Sequence, residues 1–135
     1  MRNLIFGLAL SLFAVPVVAQ TVSSGDGDWS NIPELRKNRI VELSSGAQNM
    51  IEKVVAQGKC KSVGNKDRVN LALPFLVEFT PDNRVVSIMV KRIGCPEVES
   101  IAASTALYAA KVGTIKPNGD NEAGWYRGEV SYILR

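Results

Sequence analysis

The chain has 135 residues, of which 16 are Lys or Arg and 13 are Asp or Glu, so its formal net charge is +3. It contains no histidine, which excludes nucleophile activation by an imidazole and removes the commonest metal ligand in proteins. A charge excess this small favours neither a nucleic-acid-binding protein nor a protein that charge holds on a membrane surface. The length allows one domain with a single core.

The N-terminal residues have the pattern of a cleavable secretory signal peptide. Arg2 supplies the positive end, and residues 4–15 form an uncharged apolar run. Small or slim side chains follow, which predicts cleavage between Ala19 and Gln20. We therefore expect residues 1–19 to be removed and the mature chain to lie in the periplasm or outside the cell. The alternative is that this segment is retained as a membrane anchor.

Two cysteines, Cys60 and Cys95, remain in the mature chain. An even number of cysteines in an oxidising compartment favours a disulfide. Pairing would close a loop of about 36 residues, for which the chain-entropy model gives a stabilisation of about 3 to 4 kcal/mol. The alternative is two separate buried thiols.

The first part of the mature chain predicts a flexible lead followed by a helix. Residues 20–30 are rich in Ser, Gly and Asp, which is typical of a poorly ordered segment. Asn31, with Glu34 three residues later, predicts a helix start. The helix then continues to Gly58 on one amphipathic stripe, although Gly46 can divide it in two. The members of the stripe are Leu35, Arg39, Leu43, Ala47, Met50, Ile51 and Val54.

The pattern changes to a two-residue period after Cys60. Apolar side chains occupy alternate positions from Val69 to Phe79, and again from Val86 to Val90. The intervening Pro81-Asp82-Asn83-Arg84 is typical of a turn. Residues 68–93 therefore predict a β-hairpin. Pro74 has no amide hydrogen, which places at least the first half of its strand beside an open backbone edge.

The remaining residues predict a second helix and a last strand. Pro96 suits the first turn of a helix that continues to Lys111, and Glu97 and Glu99 lie near the positive end of its dipole. The residues expected to share one face of this helix are Val98, Ile101, Ala102, Thr105 and Tyr108. Alternating apolar residues predict a strand from Trp125 to Leu134.

These elements predict one α+β domain over residues 31–135. A hairpin and a last strand that returns beside it would form a three-stranded antiparallel sheet, with two helices packed on one face. The expected order of elements is α-β-β-α-β.

Several short motifs, taken in order, resemble a known family. These are residues 79–86, residues 95–97 leading into 101–111, residues 115–117, and the final alternating strand. Together they resemble the C-terminal periplasmic domains of TonB and TolA. In TolA domains a disulfide links the region before the first strand to the helix after the second, a pairing that matches Cys60 and Cys95 in kind. The chain lacks the long spacer of those proteins, and Arg92-Ile93-Gly94-Cys95 replaces their Ser-Ser-Gly segment.

The resemblance implies a binding domain rather than a complete energy transducer. In the related domains the last strand lies at the border of the sheet, and partner peptides add to it as an extra strand. The corresponding positions here are Trp125, Tyr126, Arg127, Glu129, Ser131 and Ile133. The alternative is an ordinary border strand on which Arg127 and Glu129 prevent aggregation.

The functional hypothesis is a non-enzymatic, soluble periplasmic module that binds an outer-membrane or other envelope protein by strand addition. No metal site or cofactor is expected, because the cysteines lack zinc spacing and no glycine-rich loop joins a strand to a helix. Asp26, Asp28 and Glu34 lack the regular ligand spacing of a calcium loop. The alternatives are a small secreted enzyme or enzyme inhibitor of the same layout and a purely structural envelope protein.

Overall fold

The computed structural model describes residues 21–65, 67–117, 119 and 123–133. The predicted signal peptide and its cleavage site, Ala19 and Gln20, lie outside the described residues. Within them the strands are β1 (Thr21–Gly25), β2 (Ile40–Glu42), β3 (Gly64–Asn65), β4 (Arg68–Phe79), β5 (Val85–Lys91) and β6 (Gly124–Ile133), and the helices are α1 (Ser45–Ala56) and α2 (Pro96–Lys111). No helix in this part of the chain has the length and hydrophobicity needed to cross a membrane.

The strands form one six-stranded mixed sheet in the order β1-β5-β4-β6-β2, with the short β3 paired to the start of β4. β4 is antiparallel to both of its neighbours, β5 and β6. The border strands β1 and β2 run parallel to β5 and β6, respectively. The prediction of a three-stranded antiparallel sheet is therefore wrong, although the α+β class holds. β1 and β2 have five and three residues, which is too short to show a two-residue period in the sequence.

The predicted hairpin is present as β4 and β5. Its turn places Asn83 in the left-handed conformation, with φ 62°, which Asn tolerates better than most residues. β5 pairs only with residues 75–79 of β4. Pro74 therefore lies where the β5 side of β4 is open, as its missing amide hydrogen predicts.

The N-terminal lead is part of the sheet. Residues 21–25 form β1, paired with β5, instead of the flexible segment predicted from composition. The next residues, 26–34, which we call the N-terminal strap, cross the sheet face opposite the helices. Trp29 of the strap is buried, and its ring lies 4.9 Å from the Lys91 ammonium. Composition missed this segment because its order comes from pairing with residues far away in the sequence.

The first helix begins at Ser45 and not at Asn31, so its predicted N-terminal half is wrong. In place of a helix, residues 33–35 and 39–42 lie beside β6, and residues 36–38 bend away from it, with Lys37 bridged to Lys116 and Asn38 at φ 55°. The Arg127 N–H donates to the Pro33 carbonyl at 2.8 Å, and the Glu129 N–H donates to the Arg39 carbonyl at 2.7 Å. The spacing that suggested a helical stripe here belongs instead to a non-helical segment whose apolar side chains, Leu35 and Val41, enter the core.

The second helix has the predicted bounds but turns a different face to the sheet. Its buried residues are Val98, Glu99, Ala102, Ala103, Ala106, Ala109 and Ala110. Tyr108, predicted to share a face with Val98 and Ala102, is 69% exposed, and Ile101 and Thr105 are only half-buried. The alanines let the helix backbone approach the sheet closely. The larger apolar side chains therefore lie beside the sheet contact instead of within it.

A disulfide joins Cys60 to Cys95, with a Cα–Cα distance of 5.3 Å. It connects the segment after α1 to the start of α2. The buried Glu99 carboxylate accepts a hydrogen bond from the Cys95 N–H at 2.9 Å. Glu99 therefore satisfies a backbone donor that the first turn of α2 would otherwise leave unpaired.

Candidate functional site

The predicted binding strand, β6, lies inside the sheet and not at its border. β4 pairs with one side, and on the other side β2 pairs with Glu129, Val130 and Ser131. The Leu35 N–H also donates to the Arg127 carbonyl at 2.9 Å. The outward backbone groups of β6 are thus already bonded from Arg127 to Ser131, which leaves no room for a partner strand along that stretch.

The side chains of β6 alternate as the sequence predicts. Tyr126, Val130 and Tyr132 are buried, and Trp125 is exposed on the other face. The remaining predicted binding side chains on that face are the half-buried Arg127, Glu129 and Ser131. The structure describes the backbone of Ile133, which pairs with Asn70. Trp125, Arg127, Glu129 and Ser131 thus share one face, whereas Tyr126 is buried on the other, and the shared face belongs to an internal strand.

The border of the sheet on this side is β2. Because the Arg39 carbonyl faces β6, and alternate residues of a strand direct their backbone groups to opposite sides, Val41 also faces β6. The N–H and C=O groups of Ile40 and Glu42 therefore point away from the sheet. These groups form the free edge of β2, and they have the geometry on which an additional strand is built.

An apolar groove of about 870 Å³ lies beside this edge, between β2, α1 and α2. Ala47 and Met50 of α1 form one wall, and Ile101, Thr105 and Tyr108 of α2 form the other. We call this space the β2 groove. Its volume lies within the range of about 300 to 1,000 Å³ that is usual for ligand sites.

Three large apolar residues that line the β2 groove are open to solvent. Ile40 is 53% exposed, Met50 is 56% exposed, and Tyr108 is 69% exposed. Single exposed apolar residues are ordinary on a protein surface, whereas several around one concave surface indicate an interaction site. The other border of the sheet offers only Val22 as an exposed large apolar side chain among the described residues.

Local capping fixes the wall that α1 provides. The Ser44 hydroxyl accepts a hydrogen bond from the Ala47 N–H at 3.2 Å, which starts the helix directly after β2. The Gln48 side-chain amide donates to the Leu43 carbonyl at 3.0 Å. At the far side of the helix, the Tyr132 hydroxyl donates to Glu52 at 2.5 Å. The hydrogen bond to Glu52, aided by burial, raises the pKa of Tyr132 to about 12.

Sequence patterns detected two of these residues and assigned them to helix faces. Met50 belongs to the predicted stripe of the first helix, and Tyr108 belongs to the predicted shared face of the second. Ile40 was missed because the segment that holds it was predicted to be helical. One signal in the sequence could have indicated the groove. The apolar surface of α2 is wide, and its large residues flank the alanines on a side that the sheet does not cover.

The described residues contain one cluster of potential metal ligands, formed by Cys60, Cys95 and Glu97. Its two sulfur atoms are joined in the disulfide, so neither is available as a thiolate. These residues are therefore close together because the disulfide holds the start of α2, and their proximity does not indicate a metal site.

Comparison of the chain with protein-family models, curated proteins and solved structures gave no match. The resemblance to the TonB and TolA domains thus remains a prediction from the sequence.

Proposed function

We propose that this protein is a binding module that receives an extended segment of a partner protein along the free edge of β2. The observation that carries the proposal is the juxtaposition of unpaired backbone groups at Ile40 and Glu42 with the apolar β2 groove. Main-chain hydrogen bonds to such an edge supply affinity, and pockets for alternate side chains supply selectivity.

The groove lies on the helix side of β2, so it would receive every second side chain of the added strand. Met50 offers a long, adaptable apolar side chain to them, and Tyr108 offers a flat aromatic ring. An alternating apolar sequence in the partner would therefore fit this site best. A uniformly charged segment would leave the apolar walls uncovered.

The partner that we propose is an outer-membrane or other envelope protein. A disulfide is compatible with the periplasm or the exterior of the cell, where such bonds persist. The predicted signal peptide and the resemblance to the TonB and TolA domains support the same compartment. The site differs from the one that the resemblance implied, because the added strand would pair with β2 instead of β6.

A proline at Ile40 tests the role of the backbone edge. Ile40→Pro removes an N–H that points away from β6, and proline is tolerated in border strands for this reason. Val22→Pro is the matched control, because Val22 is exposed in the other border strand. The mature protein and both variants, each with an unchanged circular dichroism spectrum, would be used to capture proteins from detergent-solubilised outer membranes.

The proposal expects the wild type and Val22→Pro to recover the same protein and Ile40→Pro to lose it. Tyr108→Ala should weaken recovery, whereas Val112→Ala should not, since Val112 is 54% exposed but lies outside the groove. Equal recovery by all variants, or loss only with Val22→Pro, would overturn the assignment to the β2 edge. Recovery of no protein by the wild type would also count against it.

A further inference from the structure

A second cavity, of about 410 Å³, lies where the segment before β2 meets the segment after α2. Its described charged lining consists of Arg36, Lys37 and Lys116, all exposed. Ile115 and Pro117, both buried, contribute to an apolar floor. We call this space the basic cavity. Three positive charges on an apolar floor favour a ligand that is anionic at one end.

Two of these charges are held opposite each other by the backbone. Lys37 and Lys116 are partners in an isolated antiparallel bridge. The adjacent Asn38 side-chain amide donates to the Thr114 carbonyl at 2.9 Å, which fixes the same two segments together. Like charges directly opposite each other across antiparallel strands are destabilising. The fold thus holds two ammonium groups in an arrangement that an anion would stabilise.

The three cations have no ion-pair partner among the described residues. The five ion pairs there use Arg39, Lys59, Arg84, Arg92 and Arg127 instead. The nearest acidic residues that follow in the sequence, Asp120 and Glu122, lie outside the described residues. Among the described residues, positive charge therefore converges in the basic cavity without a compensating carboxylate.

We propose that the basic cavity binds a phosphate-bearing ligand. A phosphate group carries up to two negative charges at neutral pH, which matches the two opposed ammonium groups. The planar guanidinium of Arg36 supplies donors suited to a pair of phosphate oxygens. The apolar floor at Ile115 then accommodates the group to which the phosphate is attached.

The basic cavity is separate from the β2 groove. The groove ends at Asn38 and Thr114, and the cavity begins with the residues on their other side, Lys37 and Ile115. Binding in the cavity therefore does not depend on strand addition at β2, and either proposal can fail without the other.

Nuclear magnetic resonance titration of the mature protein tests the site. The probes are inorganic phosphate, glycerol 3-phosphate, and vesicles of phosphatidylcholine with or without phosphatidylglycerol. We expect saturable shifts of the Lys37, Gly113 and Lys116 amide signals with at least one phosphate-bearing probe. We also expect the affinity to fall as salt is raised, because the contacts are exposed.

The double charge reversal K37E/K116E should weaken this binding about 10-fold or more, in line with the loss of two charge-assisted contacts. K53E/K61E is the matched control, since both lysines are exposed, lie outside the cavity and change the net charge equally. Binding to soluble phosphates alone would identify a soluble ligand. Additional binding to phosphatidylglycerol vesicles, measured by sedimentation, would identify a lipid headgroup.

Two outcomes would overturn the proposal. One is the absence of saturable shifts with every probe. The other is equal weakening by K37E/K116E and K53E/K61E, which would show that binding follows net charge and not this cavity.

Discussion

Gly128 is a position in β6 where the fold has no room for a side chain. A methyl group there would lie 2.5 Å from Cζ of the buried Phe75 and 2.9 Å from the Arg39 carbonyl oxygen. Because both neighbours are held by packing or by the sheet, we expect Gly128→Ala to lower the free energy of unfolding by about 1 to 3 kcal/mol. Gly46→Ala is the control. Gly46 lies in α1 with no neighbour within 4 Å, so that variant should gain up to about 1 kcal/mol. If urea unfolding shows that both variants change the free energy of unfolding in the same direction, this account is contradicted.

The hydrogen bond between Tyr132 and Glu52 predicts a loss of stability at alkaline pH. The pKa of Tyr132 is raised in the folded protein from 10.0 to about 12, with the hydrogen bond to Glu52 as the largest cause. A group whose pKa is raised on folding stabilises the protein fully below its unfolded pKa, and that contribution is lost as the pH rises towards the folded pKa. The free energy of unfolding should therefore fall between about pH 10 and about pH 12. Tyr132→Phe should reduce this fall, as measured by urea unfolding across that range; an identical pH dependence in the variant would exclude Tyr132 as the cause.

At the scale of elements, the disulfide holds the start of α2 to the segment after α1. The double variant C60S/C95S should lose about 3 to 4 kcal/mol of unfolding free energy, because the unfolded chain regains the entropy of the closed loop. Urea unfolding with and without a reductant measures this loss. Reductant should destabilise the wild type to a similar extent and leave the variant unchanged. Wild-type stability in the variant would show that the bond adds no net stability.

The elements that the sequence predicted well are those whose signals are local. The turn at Asn83 and the alternation in β4 identify the hairpin, and Pro96 marks the start of α2. The failures are elements that depend on distant pairing. β1 is rich in Ser, and β2 lies in a segment with helical spacing, so each becomes a strand only because a longer strand supplies a partner. Secondary-structure propensity is a weak prior that such tertiary contacts override.

At the scale of the whole molecule, the candidate site also depends on contacts between residues that are distant in the sequence. The sequence predicted strand addition, but it placed the free edge on β6, since it did not reveal that residues 33–42 cover that strand. The β2 groove needs Ile40, Met50 and Tyr108, which come from three elements and approach one another only in the folded chain. No spacing in the sequence links them. Exposed apolar residues at the junction of elements become recognisable once burial is known.

The N-terminal residues offer a test of the whole architecture, because the structure makes residues 21–30 part of the fold. Deleting these residues removes β1 and the buried Trp29, which leaves the edge of β5 without a partner. An unpaired edge of that kind promotes association between copies of a chain. We expect the shortened protein to unfold at lower urea concentration and to form oligomers in sedimentation velocity. Trp29→Ala keeps β1, so it should lose stability, by about 3 kcal/mol if the ring behaves as a core side chain, but keep the oligomeric state of the wild type. A shortened protein that is monomeric and as stable as the wild type would restore the interpretation of these residues as a flexible lead.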